Sequence, residues 1–188
     1  MHSKLKLILL LLIATLLTGC VAAVVTGAVA GMVYDRRSVI TMEADARLFH
    51  LIHKAIVTNR QFSDSRVIVT SFNRVVLLVG QTPTSSVRVL ATKIAQSTPG
   101  VYRVYNEITV GNPISLAQRS KDSWITSQVR SRMLAKRGLE SGSIRIVTEY
   151  GVVYLMGIAH DDQAALAVDV ARRVNGVRKV VKTFQYIR

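Results

Sequence analysis

Cysteine and acidic residues are the scarce components of this 188-residue sequence. The chain contains one cysteine, so it has no internal disulfide and its core must be held by apolar burial alone. Eleven acidic residues stand against 25 Lys and Arg. The resulting net charge of +14 attracts polyanions such as nucleic acid, anionic lipid headgroups or lipopolysaccharide. The motifs of nucleophile elbows, phosphate-binding loops and histidine-bound metals are also absent, which disfavours an enzyme.

Charged residues are missing altogether from residues 7–34. Two lysines precede this stretch and residues 7–17 are apolar, which is the arrangement of a secretory signal. The apolar run ends in Leu17-Thr18-Gly19-Cys20, which resembles the lipobox of bacterial lipoproteins. That resemblance implies that diacylglycerol is attached to the Cys20 thiol, that residues 1–19 are removed as a signal peptide, and that the new amino terminus is acylated.

An uncleaved membrane helix is the alternative for residues 7–34, because 28 uncharged residues exceed the roughly 20 that span a bilayer. Three glycines interrupt this stretch and the only cysteine follows its apolar run, which favours the lipoprotein. Residues 20–41 are then a lipidated amino terminus and tether, and the mature chain keeps a net charge of +12. Val21 stands where aspartate, in Gram-negative lipoproteins, favours inner-membrane retention. By resemblance we expect an outer-membrane protein that faces the periplasm.

An internal repeat organises the remaining sequence. Residues 45–80 align with residues 122–157 at an offset of 77 and without a gap. The identical pairs are Asp45/Asp122, Arg60/Arg137, Val75/Val152, Val76/Val153, Leu78/Leu155 and Gly80/Gly157. The turn-forming sequence Gly111-Asn112-Pro113 lies between the copies. The repeat predicts one domain at 42–110, a linker at 111–118 and a second domain at 119–188.

Each copy has the periodicity of helix, strand, strand, helix, strand. In the first copy the helices contain the stripe Leu48, Ile52, Ile56 and the segment Thr84–Ser97. The strands are Arg66–Ser71, Arg74–Gly80 and Tyr102–Thr109, and Phe72-Asn73 forms a tight turn between the first two. We expect the second strand to end at Gly80, and its counterpart in the second copy to end at Gly157. Two helices covering one face of a three-stranded sheet make an α+β sandwich.

Two short motifs occur in both copies and in the same order. One is V-x-L-x-G, at residues 76–80 and 153–157, and the other is G-V-x-x-V, at residues 100–104 and 176–180. This pattern resembles the BON domain, a phospholipid-associated module of bacterial envelope proteins. The resemblance implies two tandem αββαβ domains without catalysis or cofactor, in a protein that helps to keep the outer membrane intact.

Trp124 is the residue that departs most from an ordinary fold pattern. On a helical wheel it lies about 140° from the centre of the apolar stripe Ile125, Val129, Met133, among polar residues. An exposed indole suits the headgroup level of a bilayer, and cations near it attract an anionic leaflet. The candidate phospholipid-binding residues are therefore Lys121, Trp124, Gln128, Arg130 and Arg132. The alternative for Trp124 is packing against the other repeat.

Two other functional classes stay open at this point. One is a protein-interaction scaffold that docks onto outer-membrane assembly machinery, with Trp124 as its hot spot. The other is a nucleic-acid binder, which the charge permits and the export signal argues against. His50 and His53 lie three residues apart on a helix without a third ligand nearby, so we expect a solvated pair and no metal site.

Replacing the cysteine tests the membrane anchor. We expect Cys20→Ser to accumulate as an unprocessed precursor, because removal of the signal depends on prior lipidation. Intact mass measurement of the membrane fraction distinguishes precursor from mature chain. Cleavage of the variant between Gly19 and Ser at position 20 would exclude the lipobox.

Overall fold

We analysed a computed structural model of the protein, which describes residues 35–187. The predicted signal peptide, Cys20 and the tether as far as residue 34 lie outside the described residues. Among the residues that are described, no helix combines the length and the hydropathy needed to cross a bilayer.

The two copies of the repeat each form an αββαβ unit, as the sequence predicts. The first contains α1 (Val39–Val57), β1 (Arg66–Phe72), β2 (Val75–Thr82), α2 (Ser85–Ser97) and β3 (Arg103–Val110). The second contains α3 (Leu116–Ala135), β4 (Ile144–Glu149), β5 (Val152–Ala159), α4 (Asp161–Arg172) and β6 (Lys179–Tyr186). The strand orders are β1-β2-β3 and β4-β5-β6, with the first pair antiparallel and the second parallel in each sheet.

The first helix of each unit starts earlier than the repeat boundaries predict. Ser38 and Ser115 cap α1 and α3, and each hydroxyl accepts a hydrogen bond from the amide three residues on, at 3.2 Å. Such a cap satisfies one of the free N–H groups of the first turn. The assigned tether 20–41 and linker 111–118 therefore each include the beginning of a helix. The two serines are 77 residues apart, so the repeat extends to the caps themselves.

The predicted turn of the first hairpin is wrong by one residue. Phe72 pairs with Val75 at the end of β1, and the turn consists of Asn73 and Arg74, which have φ of 49° and 63°. Phe72 stays in the strand because its side chain is buried. In the second hairpin the turn is Tyr150-Gly151, at the repeat offset of 77 from Asn73-Arg74.

Gly80 and Gly157 lie within strands, and the prediction that strands end there is wrong. β2 and β5 each continue for two residues beyond the glycine. A side chain at Gly80 would collide with the carbonyl oxygen of Arg66 on the paired strand, and one at Gly157 with that of Ser143. Glycine is therefore required by the close approach of neighbouring backbone.

Each sheet packs its two helices on one face. The core of the first unit is formed by Ile52, Ile56, Phe62, Val69, Val76, Leu78, Ala91, Ala95 and Ile108. In the second unit the main contributors are Ile125, Val129, Met133, Val153, Leu155, Ala167, Ala171 and Phe184. These residues include Ile52 and Ile56 of the first helical stripe, all of the second stripe and the first valine of each V-x-L-x-G motif, which confirms the register inferred from the sequence. Leu48, the third member of the first stripe, is also buried.

The opposite faces of the two sheets pack on each other. Leu77 and Val79 of β2 belong to one buried cluster with Tyr154 and Met156 of β5. Burial of each such side chain contributes roughly 1.5–3 kcal/mol. Burial also raises the pKa of Tyr154 to about 12, with a further contribution from the nearby carboxylates of the interface, so its phenol remains neutral there.

Polar side chains at the margins join the two domains. The Gln81 amide donates to the Glu149 carboxylate at 3.0 Å, and its oxygen accepts from the Ile114 amide of the linker at 3.1 Å. The Asn73 side chain donates to Gln185 at 2.6 Å. Because these bonds need the two domains in one orientation, they align the docked sheets.

A charge in the interface should separate the domains without unfolding them. Met156 is 1% exposed and faces the other sheet. We expect the parent to unfold in one urea transition and Met156→Asp to unfold in two, one for each domain. A buried carboxylate strongly destabilises the interface, whereas the helix-side cores stay intact. Tryptophan fluorescence, from Trp124 in the second domain, and circular dichroism would follow the transitions.

A matched control is Val153→Asp, on the same strand but facing the helices. It should instead unfold the second domain, with a loss of about 3 kcal/mol or more. Identical behaviour of the two variants would contradict the division of β5 into two differently buried faces.

Candidate functional site

A buried carboxylate places the turn of the second hairpin against α3. Asp122 is 3% exposed. One of its oxygens accepts from the Tyr150 amide at 2.7 Å and the other from the Gly151 amide at 2.9 Å. Gln118, one turn earlier on the helix, donates to the same carboxylate at 3.0 Å. Hydrogen bonds of this kind to a carboxylate are among the strong ones, so the turn has little freedom to move.

The first domain contains the same arrangement around Asp45. Its carboxylate accepts from the Asn73 amide at 2.7 Å and from the Arg74 amide at 2.8 Å. The Ser71 hydroxyl donates to it at 2.9 Å and the Arg37 guanidinium at 2.8 Å. The identity of Asp45 and Asp122 at the repeat offset is thus the sequence signal of a structural acid, which the sequence analysis did not interpret.

The anchored turn creates a groove beside α3, which we call the Trp124 groove. Trp124 is 65% exposed and Tyr150 is 52% exposed. The groove has a volume of about 590 Å³. Its lining is Gln118, Ser120, Lys121, Trp124, Ile125, Tyr150, Gly151, Asn175, Gly176 and Arg178. All of these belong to the second repeat, so Trp124 does not pack against the first repeat as its alternative interpretation requires.

Two cations stand beside the exposed aromatic rings. Lys121, one of the candidate phospholipid-binding residues, lines the groove. Arg178 also lines it, with its guanidinium carbon 4.6 Å from the centre of the Tyr150 ring, within range of a cation–π contact. The Arg178 amide donates to the Gly151 carbonyl at 2.8 Å, which fixes the start of β6 against the turn.

Tyr150 and Arg178 were not among the residues predicted from the sequence. Neither lies on the helix that carries Trp124, and helical spacing cannot relate residues on different elements. The signal available for Tyr150 was the repeat itself. The identical acids Asp45 and Asp122 and the turn positions Asn73 and Tyr150 recur at the same offset of 77. We find no comparable signal in the sequence for Arg178.

The other predicted residues are distributed along both sides of α3. Gln128 is one turn from Trp124 on the same side and half-buried. Arg132 donates to the Arg173 carbonyl at 2.9 Å, at the edge that faces α4. Arg130 follows Trp124 by six residues, which is about 120° around the helix. It lines a different groove, between the domains, and the structure does not bring it together with Trp124.

The exposed face of α3 between these edges carries no charge. Ser120, Ser123, Ser127 and Ser131 are all exposed along it. Leu116, at the start of the helix, is 74% exposed. The face therefore combines small hydroxyl side chains with protruding apolar groups, and cations border it on both sides.

The first domain lacks these features at the equivalent positions. Arg47 replaces Trp124 and Asn73 replaces Tyr150 at the repeat offset. The Asn73 side chain is also engaged with Gln185 of the second domain. The exposed aromatic pair is consequently a property of the second domain alone.

The two histidines of α1 have separate surroundings. His50 is exposed, whereas His53 stacks its ring on Phe49, with 5.4 Å between ring centres. Within residues 35–187 no three His, Cys, Asp or Glu side chains are grouped in a way that would hold a metal ion.

Comparisons with known proteins identify both halves of the chain. A family model described as BON domain matches residues 44–112 and 121–188. Outer membrane lipoprotein DolP of Haemophilus influenzae is 42% identical, covering 98% of this chain and 98% of that protein. A 21 kDa hemolysin of Actinobacillus pleuropneumoniae is 40% identical, covering 66% of this chain and 64% of that protein. An uncharacterized protein of Anaplasma centrale is 34% identical, covering 77% and 93% respectively.

Removing the turn-binding carboxylate should loosen the Trp124 groove. We expect Asp122→Ala to lower the free energy of unfolding by about 3 kcal/mol, because two turn amides lose their acceptor in a poorly hydrated site. Urea denaturation measures the loss. The matched control is Asp64→Ala, in an exposed loop, for which we expect a change within about 0.5 kcal/mol. Equal stabilities of the two variants would contradict a structural role for Asp122.

Proposed function

The chain belongs to the BON domain family, with two BON domains in tandem, and on that basis we propose that it is a non-catalytic outer-membrane lipoprotein. It is anchored through lipidated Cys20, faces the periplasm, and binds anionic phospholipid through its second domain. By this contact it supports the integrity of the envelope. The relative named as an outer membrane lipoprotein supports the location.

The observation that carries the proposal is the exposure of two aromatic rings beside two cations in the Trp124 groove. Trp and Tyr side chains are favoured at the membrane interface because one end of each ring system is apolar and the other is polar. Lys121 and Arg178 would each gain about 1 kcal/mol near an anionic leaflet. Gln128 and Arg132 extend the same surface along α3, whereas Arg130 contributes only through the long-range charge.

Because of the lipid anchor, even a weak contact between the second domain and the leaflet is enough to keep the domain bound. Fourteen residues lie between Cys20 and Asp35, and they reach at most about 50 Å when extended. The second domain is thus held close to the leaflet that carries the anchor, and binding becomes effectively intramolecular. The net charge of +12 on the mature chain adds a further attraction to an anionic surface.

A protein-docking role is the competing function for the same residues. Exposed Trp and Tyr next to Arg are also the typical composition of an interaction hot spot. The two functions differ in what they require, because lipid binding needs no second protein and must follow the anionic fraction of the membrane.

Cosedimentation with protein-free vesicles tests the proposal. The protein is the fragment 35–188, and the vesicles contain a graded fraction of phosphatidylglycerol in phosphatidylcholine. We expect Trp124→Glu to bind at least about tenfold more weakly, since it removes an interfacial anchor and adds a charge that the leaflet repels. The combined change of Lys121→Gln and Arg178→Gln should cost about 2 kcal/mol, or roughly 30-fold.

Arg47→Glu is the matched control, because it places a glutamate at the equivalent position of the first domain and lowers the net charge by two instead of one. Its effect should be much smaller, since no aromatic anchor is lost. Undiminished binding of folded Trp124→Glu would reject this surface, and binding that ignores salt would reject the electrostatic part. Failure of the parent fragment to bind any vesicle would favour the protein-docking role.

A further inference from the structure

A second groove lies between the two domains and shares no lining residue with the Trp124 groove. We call it the interdomain groove. Its volume is about 500 Å³. It is lined by Arg37, Met42, Asp45, Ala46, Phe49, Val69, Thr70, Ser71, Arg130, Arg145, Ile146 and Val147. Apart from Arg37, which precedes α1, these residues come from α1 and β1 of the first domain and from α3 and β4 of the second.

The strand β4 presents an unpaired edge to this groove. It is the outer strand of its sheet, hydrogen-bonded on one side only, to β5. Glu149 and Val152 flank the two-residue turn as a hydrogen-bonded pair, and such pairs alternate along an antiparallel ladder. The backbone groups of Ile146 and Thr148 therefore point away from β5. Within residues 35–187 no backbone hydrogen bond joins this edge to a further strand.

The groove also holds positive charge that its own acids do not neutralise. Arg37 forms ion pairs with Asp35 and Asp45, at 2.7 and 2.8 Å. Arg130 and Arg145, by contrast, make no ion pair with any residue in the described part of the chain. Partial burial lowers the pKa of Arg145, and the like charges of Arg37 and Arg130 lower it further. An anion near Arg130 and Arg145 would relieve this repulsion.

Apolar side chains complete the lining. Met42 and Phe49 of α1 are partly exposed on the opposite wall, at 36% and 42%. Val69 and Ile146 contribute the groove surface nearest the sheets. A ligand for this groove must therefore combine backbone hydrogen-bonding groups, apolar side chains and negative charge.

We propose that the interdomain groove binds an extended peptide segment of a partner protein, which adds a strand to the edge of β4 and carries acidic residues among apolar ones. Backbone pairing supplies affinity in this mode of recognition, and alternate side chains supply specificity. The acidic side chains would bind Arg130 and Arg145, and the apolar ones would contact Met42 and Phe49.

The segment that precedes the described residues does not have the composition of this ligand. Residues 21–34, which precede the described residues, contain no Asp or Glu. An acyl chain would leave the outward N–H and C=O groups of β4 without partners, which favours a peptide over a lipid. The proposal is independent of phospholipid binding by the Trp124 groove.

Selection from a displayed library of random 12-residue peptides tests the proposal. The target is the full-length chain in phosphatidylcholine nanodiscs. We expect the selected peptides to alternate apolar and acidic residues. The leading peptide, labelled with fluorescein, should bind about tenfold more weakly to Arg130→Gln and to Arg145→Gln, because each loses a charge-assisted hydrogen bond. Both side chains are exposed, so the fold should survive the changes.

Two controls make the result specific to this groove. Arg88→Gln removes an exposed arginine of α2 and should leave peptide affinity unchanged. A peptide that is N-methylated at every residue keeps its side chains but has no backbone N–H to donate to β4, and it should lose binding at least about tenfold. Vesicle binding should remain within about twofold of the parent in Arg145→Gln, which separates this groove from the Trp124 groove.

Several results would overturn the proposal. These are failure of the library to yield a binder, selected peptides without acidic residues, and equal affinity for the parent chain and the combined Arg130→Gln and Arg145→Gln variant. Undiminished binding of the N-methylated peptide would exclude strand addition. Displacement of the leading peptide by micromolar dodecyl phosphate would show instead that the groove is a lipid site.

Discussion

The packing of one sheet on the other is the contact on which the architecture depends. A three-stranded sheet has two faces, and the two helices of each repeat cover only one of them. A bare apolar face on β2 or β5 would be exposed to water, so neither repeat buries its own sheet completely. The packing of one sheet on the other removes both faces from water. It joins Leu77 and Val79 of the first sheet to Tyr154 and Met156 of the second. Docking of the two repeats therefore completes the burial of both sheets, although each repeat has a core of its own.

The docked sheets also explain why the repeats differ in their exposed residues. Asp45 and Asp122 hold equivalent hairpin turns in equivalent positions. In the first domain the turn residue Asn73 contacts the second domain, whereas in the second domain the turn residue Tyr150 is exposed. One conserved backbone arrangement thus supports an interdomain contact in one copy and an aromatic groove in the other. The Trp124 groove lies where the repeat is free of its partner.

The same docking separates the cations of the second domain into two groups. Lys121 and Arg178 border the Trp124 groove, while Arg130 and Arg145 border the interdomain groove. The cations of the second domain are thus not spread evenly over its surface. The Trp124 groove lies on the exposed side of α3, and the interdomain groove lies between the two domains. Each is bordered by different cations. The two proposals assign the first groove to lipid and the second to another chain.

The sequence by itself determined the elements of each repeat, their order, the helix-side cores and the exposure of Trp124. These features depend on local periodicity and on residues of one element, and the repeat supplied each of them twice. The sequence also indicated the second buried face. A strand with one solvent-exposed face alternates apolar and polar residues, whereas residues 75–79 are all apolar. Only the tertiary structure decided which surface covers that face, that Tyr150 and Arg178 join Trp124, and that Arg130 does not. Those outcomes depend on distances between residues far apart in the chain, which the buried carboxylates and the docked sheets set and which no local pattern encodes.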